Sequence, residues 1–398
     1  MTTHTKPGRA ALVTTAEGLH HAVDAARSRR SMAIDTEFMR ERTYFAKLCL
    51  VQVEAAEHIY LIDPLESVDL QPLGEVIADP EIEILLHAGK QDLDIFNERL
   101  GIVPTNVFDV QVAASFAGFG ANLPYGRLVE AALGVALEKG ESYTEWCRRP
   151  LTEAQLRYAA DDVRYLHGIA ERLKARLTEL DRLGWVEEEL RSSFEDPNGY
   201  GANEDVAWRK VAGRGVLKPR QVSVLREVAA WRERAAAQRD LPRGWVVKDP
   251  TLIEIARRSP QSADDLRAIR GLNEKEVDRS GRDLLEAIRK GRNSPPPEAQ
   301  PQFPRNAQIR ARMTIGLADA LVRARCEKAD ISSEAVTTRG ELEGVLTAAF
   351  AGTLEEDSYR LLRGWRRDLA GAAVLDLARG RIGLRVVDKA PYVEETDG

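Results

Sequence analysis

SMAIDTEF (Ser31–Phe38) is an apolar, strand-like stretch interrupted by two carboxylates. Strand side chains alternate, so Ala33, Asp35 and Glu37 share one face while Ile34, Thr36 and Phe38 share the other. Two acids side by side on a strand bound for the core repel each other and are costly to bury. A divalent cation would answer both problems. A D-x-E pair alone is common, however, and an exposed sheet edge would also accommodate it.

The surroundings narrow the choice. KLCLVQVE (Lys47–Glu54), HIYLID (His58–Asp63) and EILLH (Glu83–His87) read as further strands. Helical patterns fall at Glu17–Arg29, Leu70–Ile77, Lys90–Leu100 and Leu151–Leu180. That alternation predicts a mixed α/β sheet flanked by helices. In HAGKQDLDIF (His87–Phe96) a strand runs into a helix whose Leu93, Phe96 and Leu100 face the core. Asp92 is then left near the strand's carboxyl end, where open α/β sheets place their ligands. An acid in a first helical turn also suits the helix dipole. His87 is expected to be a satisfied core histidine, with hydrogen bonding to the site as the sharper alternative.

RPLTEAQLRYAADDVRYLHGIAERL (Arg149–Leu173) predicts one long amphipathic helix, opened by a capping box of Thr152 and Gln155. Leu156, Ala159, Val163, Leu166 and Ile169 face the core. Tyr158 and Asp162 are four apart and share a face one turn apart. Asp161 points about 100° away from Asp162, toward the surface.

The net charge of −6 conceals an uneven distribution. Residues 1–200 hold 21 Lys and Arg against 33 Asp and Glu, residues 201–290 hold 20 against 14, and the remainder balances. An acidic half followed by a basic helical module fits a carboxylate metal site joined to a phosphate-binding accessory. EDPNGYGANED (Glu195–Asp205) reads as a linker, and SPPPEAQPQFP (Ser294–Pro304) as a Pro-rich one. A helical region from Ile309 to Arg379 follows, ending in the polar VEETDG, expected to fray.

A chain of 398 residues exceeds one ordinary core, and 43% hydrophobic with 30% charged residues excludes disordered and membrane classes. No apolar run could span a bilayer, and the polar start (Met1–Arg9) lacks a signal-peptide core, so a cytoplasmic protein is expected. Cys49, Cys147 and Cys326, odd in number and far apart, predict free thiols. With few thiols and six histidines, the metal chemistry would be carboxylate-based, pointing to Mg2+ or Mn2+.

Taken in order, D-x-E on a strand, Asp92 after a later strand and Y-x-x-x-D on a closing helix resemble the 3′–5′ exonuclease superfamily named for its four acidic residues. Arg157 stands where the histidine subclass has its His, and Tyr158 where the tyrosine subclass has its Tyr. The flanking FDVQVAA (Phe108–Ala114), GRLVEAALGVALEKG (Gly126–Gly140) and W-x-x-RPL-x-x-x-Q-x-x-YAA (Trp146–Ala160) are most similar to the ribonuclease D family. Val206–Ala256 resembles its HRDC helical domain, and the tail from Ile309 would be a diverged second copy.

The resemblance implies a ribonuclease H-like exonuclease domain (1–195), an HRDC domain (204–292) and an HRDC-like domain (305–390). It implies two divalent cations held by Asp35, Glu37, Asp92 and Asp162, with Asp35 bridging and Tyr158 orienting the attacking water. It also implies RNA 3′ ends as substrate, tRNA precursors and other small structured RNAs among them, with no obligate protein partner. Lys218, Arg220, Arg239, Arg243 and Lys248, with Trp245 for stacking, are the candidates for gripping phosphates. Trp208, Trp231 and Trp245 would otherwise be core residues with basic neighbours. Nothing in the residues reads a 2′-hydroxyl, so a 3′–5′ DNA exonuclease stays open, as does a non-catalytic RNA-binding adaptor.

Overall fold

The computed structural model describes residues 10–66, 68–137, 145–201, 204–296 and 303–397. The N-terminal nine residues, and the parts of the two expected linkers at 202–203 and 297–302, lie outside them.

The first unit begins with β1 (Ala10–Val13), α1 (Ala16–Arg29), β2 (Ser31–Met39), β3 (Lys47–Ala55) and β4 (His58–Ile62). There follow α2 (Gln71–Ile77), β5 (Glu83–Leu86), α3 (Lys90–Leu100) and β6 (Val107–Asp109). Five helices complete the unit: α4 (Val110–Phe116), α5 (Tyr125–Leu133), α6 (Glu153–Arg164), α7 (Leu166–Glu179) and α8 (Leu183–Phe194). The strands form one sheet in the order β1-β4-β3-β2-β5-β6. β2 and β4 run antiparallel to β3, while β1, β5 and β6 each pair in parallel with a neighbour. Helix α1 packs on β2 and β3, with α2 and α3 beside it, and α6 covers β2, β3 and β4 from the opposite face. The mixed sheet between helical layers is the expected fold. β1 and β6, four and three residues long, carry too little alternation to be read as strands.

Two sequence expectations fail here. The long helix read over Leu151–Leu180 is two helices, broken at Tyr165. Its start agrees: Thr152 and Gln155 form the reciprocal capping box. Cys49 and Cys147 are not free thiols but a disulfide, their Cα atoms 5.0 Å apart across 98 residues. Spacing along the chain could not show this, because the fold brings the segment before α6 back onto β3.

The first helical module comprises α9 (Pro219–Arg239), α10 (Arg243–Val246), α11 (Asp249–Arg258), α12 (Ala263–Arg267) and α13 (Glu274–Asn293). It has its own core around Val228, Leu252, Ile255 and Leu284, which also admits Tyr44 from the loop after β2. The second module holds α14 (Arg305–Ala329), α15 (Ser333–Val336), α16 (Arg339–Ala351), α17 (Gly364–Arg366) and α18 (Ala372–Ala378). Its core is continuous with that of the first unit: Trp365 stacks on Trp185 of α8, centroids 5.6 Å apart, and meets Phe116 edge-on. The module is not helical throughout. β7 (Ile382–Val386) and β8 (Val393–Asp397) form a hairpin, so the tail expected to fray is paired. Arg325 holds it through both oxygens of Glu395, at 2.8 Å each.

Candidate active site

The site lies where the middle of β2 meets the end of α6. Asp35 and Glu37 lie on the face of β2 that α6 covers, and Asp162 comes down from α6 onto them. One oxygen from each of Asp35, Glu37 and Asp162 lies within 4.8 Å of the others. Immediately after Glu37 the β2–β3 register shifts, a bulge of the kind that re-aims side chains beside active sites.

Asp92 enters from the opposite layer. It sits in the first turn of α3, and its carboxylate accepts a hydrogen bond from Thr36, whose side chain alternates away from Asp35 and Glu37. The structure thus gathers three of the four expected acids at one point and holds the fourth beside them, tied through Thr36. The turn that delivers Asp92 is strained: Ala88 has φ +56. Buried Asp109 holds it there by accepting the N–H groups of Ala88 and Gly89 at 3.2 and 3.0 Å, while also capping α4. Asp109 lies in the quoted FDVQVAA motif, but its role depends on a contact across β5 and β6 that no local pattern reveals.

Electrostatics follow from crowding. Burial, then repulsion from Asp92, Asp162 and Glu37, holds Asp35 well above the usual carboxylate range. Burial and the neighbouring acids push Glu37 and Asp162 up to about 8, and burial pushes Asp92 up to about 6. Asp35, Glu37 and Asp162 still keep one side open to solvent. Such a cluster cannot ionise fully at neutral pH without added positive charge. All-carboxylate donors match a hard divalent cation, and the cluster therefore fits one.

Tyr158, one turn from Asp162, is pushed above the usual phenol range by burial and then by Asp162, Glu37 and Asp35. It remains a neutral hydroxyl. Trp146 packs on it at 6.0 Å between centroids. The backbone around Trp146 is held by Arg149, which donates to Trp146 O (2.7 Å), to Cys49 O (2.6 Å) and to both oxygens of Asp63. His87 is a satisfied histidine, its Nε2 2.9 Å from Leu123 O. Asp161 pairs with Arg164, away from the cluster.

The candidate phosphate-gripping residues divide. Lys218, Arg220 and Lys248 are exposed, and Trp245 is 63% exposed, so it is no core residue. Trp231 is buried in the module's core. Arg239 is occupied within the module by both oxygens of Glu276 and by Ser280. Arg243 bonds Glu233 and lies over the Tyr44 ring at 4.9 Å, so it serves the junction with the first unit. A cavity of about 360 Å³ opens there, lined by Lys210, Arg232, Arg243 and Lys248 against Glu233 and Asp249.

Comparison with known proteins agrees with this geometry. A family described as 3′-5′ exonuclease matches residues 10–178, and one described as HRDC domain matches residues 221–288. A ribonuclease D of Granulibacter bethesdensis is 37% identical over 383 residues, covering 95% of each chain. A ribonuclease D of Shewanella is 41% identical over 267 residues, covering 67% of this chain and 69% of its own. The crystal structure of Escherichia coli RNase D, an exoribonuclease involved in structured RNA processing, superimposes with a TM-score of 0.78 at 32% identity. It covers 93% of this chain and 99% of its own.

Proposed function

The chain belongs to the ribonuclease D family and is a 3′–5′ exoribonuclease, and from that premise we propose that it trims structured RNAs such as tRNA precursors in the cytoplasm with two divalent cations. The convergence of Asp35, Glu37 and Asp162 within 4.8 Å, with Asp92 beside them, is the observation that supports this reading most. The exonuclease family is divalent-metal dependent. Asp35, Glu37 and Asp162 would hold one cation, and Asp35 with Asp92 a second, either Mg2+ or Mn2+. When bound, such cations lower the pKa of a water and offset charge on the scissile phosphate.

The chain itself contributes placement. Tyr158, kept protonated, donates a hydrogen bond that orients the attacking water. Water adds to phosphorus, the P–O3′ bond breaks, the leaving 3′-oxygen takes a proton, and a nucleoside 5′-monophosphate departs. Lys218, Arg220, Lys248 and Trp245 would hold the RNA body by phosphate contact and stacking. RNA and DNA oligonucleotides with labelled 3′ ends, incubated with and without Mg2+ or Mn2+, test the reading. Release of single 5′-nucleotides from RNA, only with metal, supports it; equal release from DNA would overturn the preference for RNA.

A further inference from the structure

The segment Glu153–Glu179 contains no proline, and its one glycine, Gly168, lies beyond the break at Tyr165. Local propensity therefore does not account for the interruption. In an uninterrupted helix the Tyr165 N–H would bond the Asp161 carbonyl four residues back. Here it turns to Val163 O instead. The Asp161 carbonyl is taken by the Tyr125 hydroxyl, which donates to it at 3.0 Å. The Tyr165 N–H also points at that same hydroxyl oxygen. A phenol from α5 thus stands in one rung of the helix ladder, and a side chain inserted there is a recognised cause of a sharp break.

Tyr125 is not free to move. It is the first residue of α5, after Pro124. The preceding carbonyl, Leu123 O, accepts from His87 Nε2 at 2.9 Å and from Gln111 Nε2 at 3.3 Å. The His87 ring meets the Tyr125 ring edge-on at 5.4 Å. His87 follows β5, just before the turn into α3 that delivers Asp92. One continuous set of contacts therefore runs from the strand end beside Asp92, through Leu123 and Tyr125, to the carbonyl next to Asp162.

We propose that Tyr125 is a positioning residue for the metal site, its hydroxyl in the broken rung setting the direction of Asp162 toward Asp35 and Glu37. This rests on the reading of those acids as metal ligands. Ligand distances at a metal site tolerate only about ±0.2 Å, so even a slight rewinding of the end of α6 degrades the site. Without the hydroxyl, the Tyr165 N–H can close directly on the Asp161 carbonyl, and α6 and α7 tend toward one helix.

The test is Tyr125→Phe in the full chain, which keeps the ring packing and removes only the hydroxyl. Mn2+ binding is titrated into metal-free protein for wild type, Tyr125→Phe, Asp162→Asn and the double variant. Loss of an outer partner of this kind weakens metal affinity about 10- to 100-fold. The expected result is a loss in that range for Tyr125→Phe, with no further loss when it is added to Asp162→Asn. Hydrogen exchange should show the Tyr165 amide more protected, and KM for RNA should stay within about twofold while kcat falls. Wild-type Mn2+ affinity in Tyr125→Phe, beside a weakened Asp162→Asn, would overturn the proposal alone. Equal losses in both backgrounds would reduce Tyr125 to a general packing residue, and wild-type affinity in Asp162→Asn would overturn the metal-ligand reading itself.

Discussion

Asp240 accepts the backbone N–H of Tyr44 at 2.9 Å, and with it that of Phe45 at 3.0 Å. Asp240 ends α9 in the left-handed conformation at φ +48, and Leu241 N bonds back to Ala236 O. Asp330 repeats the arrangement at the end of α14, with φ +52 and Ile331 N bonded to Cys326 O. Its carboxylate lies against Gly118 of the first unit, where a Cβ would clash with it. Each helical module thus presents an acid from the same corner of its fold to the exonuclease unit. This pseudo-repeat supports reading the second module as a diverged copy of the first.

Tyr44 follows β2 by five residues and anchors the first module to the strand bearing Asp35 and Glu37. Its hydroxyl donates to Glu233 at 2.9 Å, and burial with the Glu233 carboxylate pushes its pKa up to about 12. Tyr44→Phe should cost about 1 kcal/mol, because Arg243 still satisfies Glu233. Tyr44→Ala, which empties a buried site, should cost about 3–5 kcal/mol. Urea unfolding checks this: Tyr44→Ala is expected to give an earlier separate transition for the helical module. A single transition at the wild-type midpoint would contradict it.

Asp35→Ala and Asp162→Asn should abolish cleavage, by about 10³-fold or more, while RNA is still bound. Single-turnover decay of labelled RNA, beside filter binding of the same RNA, separates the two quantities. Full activity in Asp162→Asn would remove it from the site.

Tyr158→Phe should retain Mn2+ binding yet lose about 10²-fold in kcat, since a hydrogen bond to the attacking water is lost and no ligand is. The phenol is held above its ordinary range, so it does not ionise near neutral pH. The wild-type rate profile should therefore show no loss of activity assignable to Tyr158 below about pH 9. A metal affinity that falls with the rate would make Tyr158 a structural support instead.

The readable part of this protein was the part set by short-range periodicity. Asp35 and Glu37 share a face because strands alternate, and Tyr158 and Asp162 because helices return after four residues; both relations hold in the structure. Hidden were the contacts made by distant segments. The bond from Thr36 to Asp92 spans 56 residues, and that from Tyr125 to Asp161 spans 36. The Cys49–Cys147 pair depends on a return of the chain that spacing does not encode. Charge alone also overstated the basic module, because Arg239 and Arg243 are consumed by Glu276 and Glu233.

Metal-free protein should lose stability as pH rises, the reverse of ordinary acid denaturation. Glu37 and Asp162 titrate near pH 8 and Asp92 near 6 when folded, and carboxylates titrate near 4 when unfolded. A raised folded pKa gives stability that is complete below about pH 4 and lost as pH climbs through the folded values. Between pH 5 and pH 9 the melting temperature in chelator should fall, and added Mg2+ should restore more of it at pH 9. Calorimetry in buffers of different ionisation enthalpy should show protons released on Mg2+ binding at pH 7. A flat melting profile in chelator would contradict the raised values.

RNA affinity should depend on salt through the exposed cations only. Each phosphate neutralised on a single strand contributes about 0.7 to the slope of log affinity against log salt. Replacing Lys218, Arg220 and Lys248 by Gln should therefore reduce the slope by up to about 2, with folding unaffected because all three are exposed. Arg239→Gln should act differently: it leaves Glu276, half of a partly buried pair, without its partner and destabilises the module. Its effect should appear in the melting curve, with the slope unchanged. Filter binding of a 3′-overhang RNA between 50 and 300 mM salt distinguishes the two. An unchanged slope in the triple variant would move the RNA path off this face and away from these three cations.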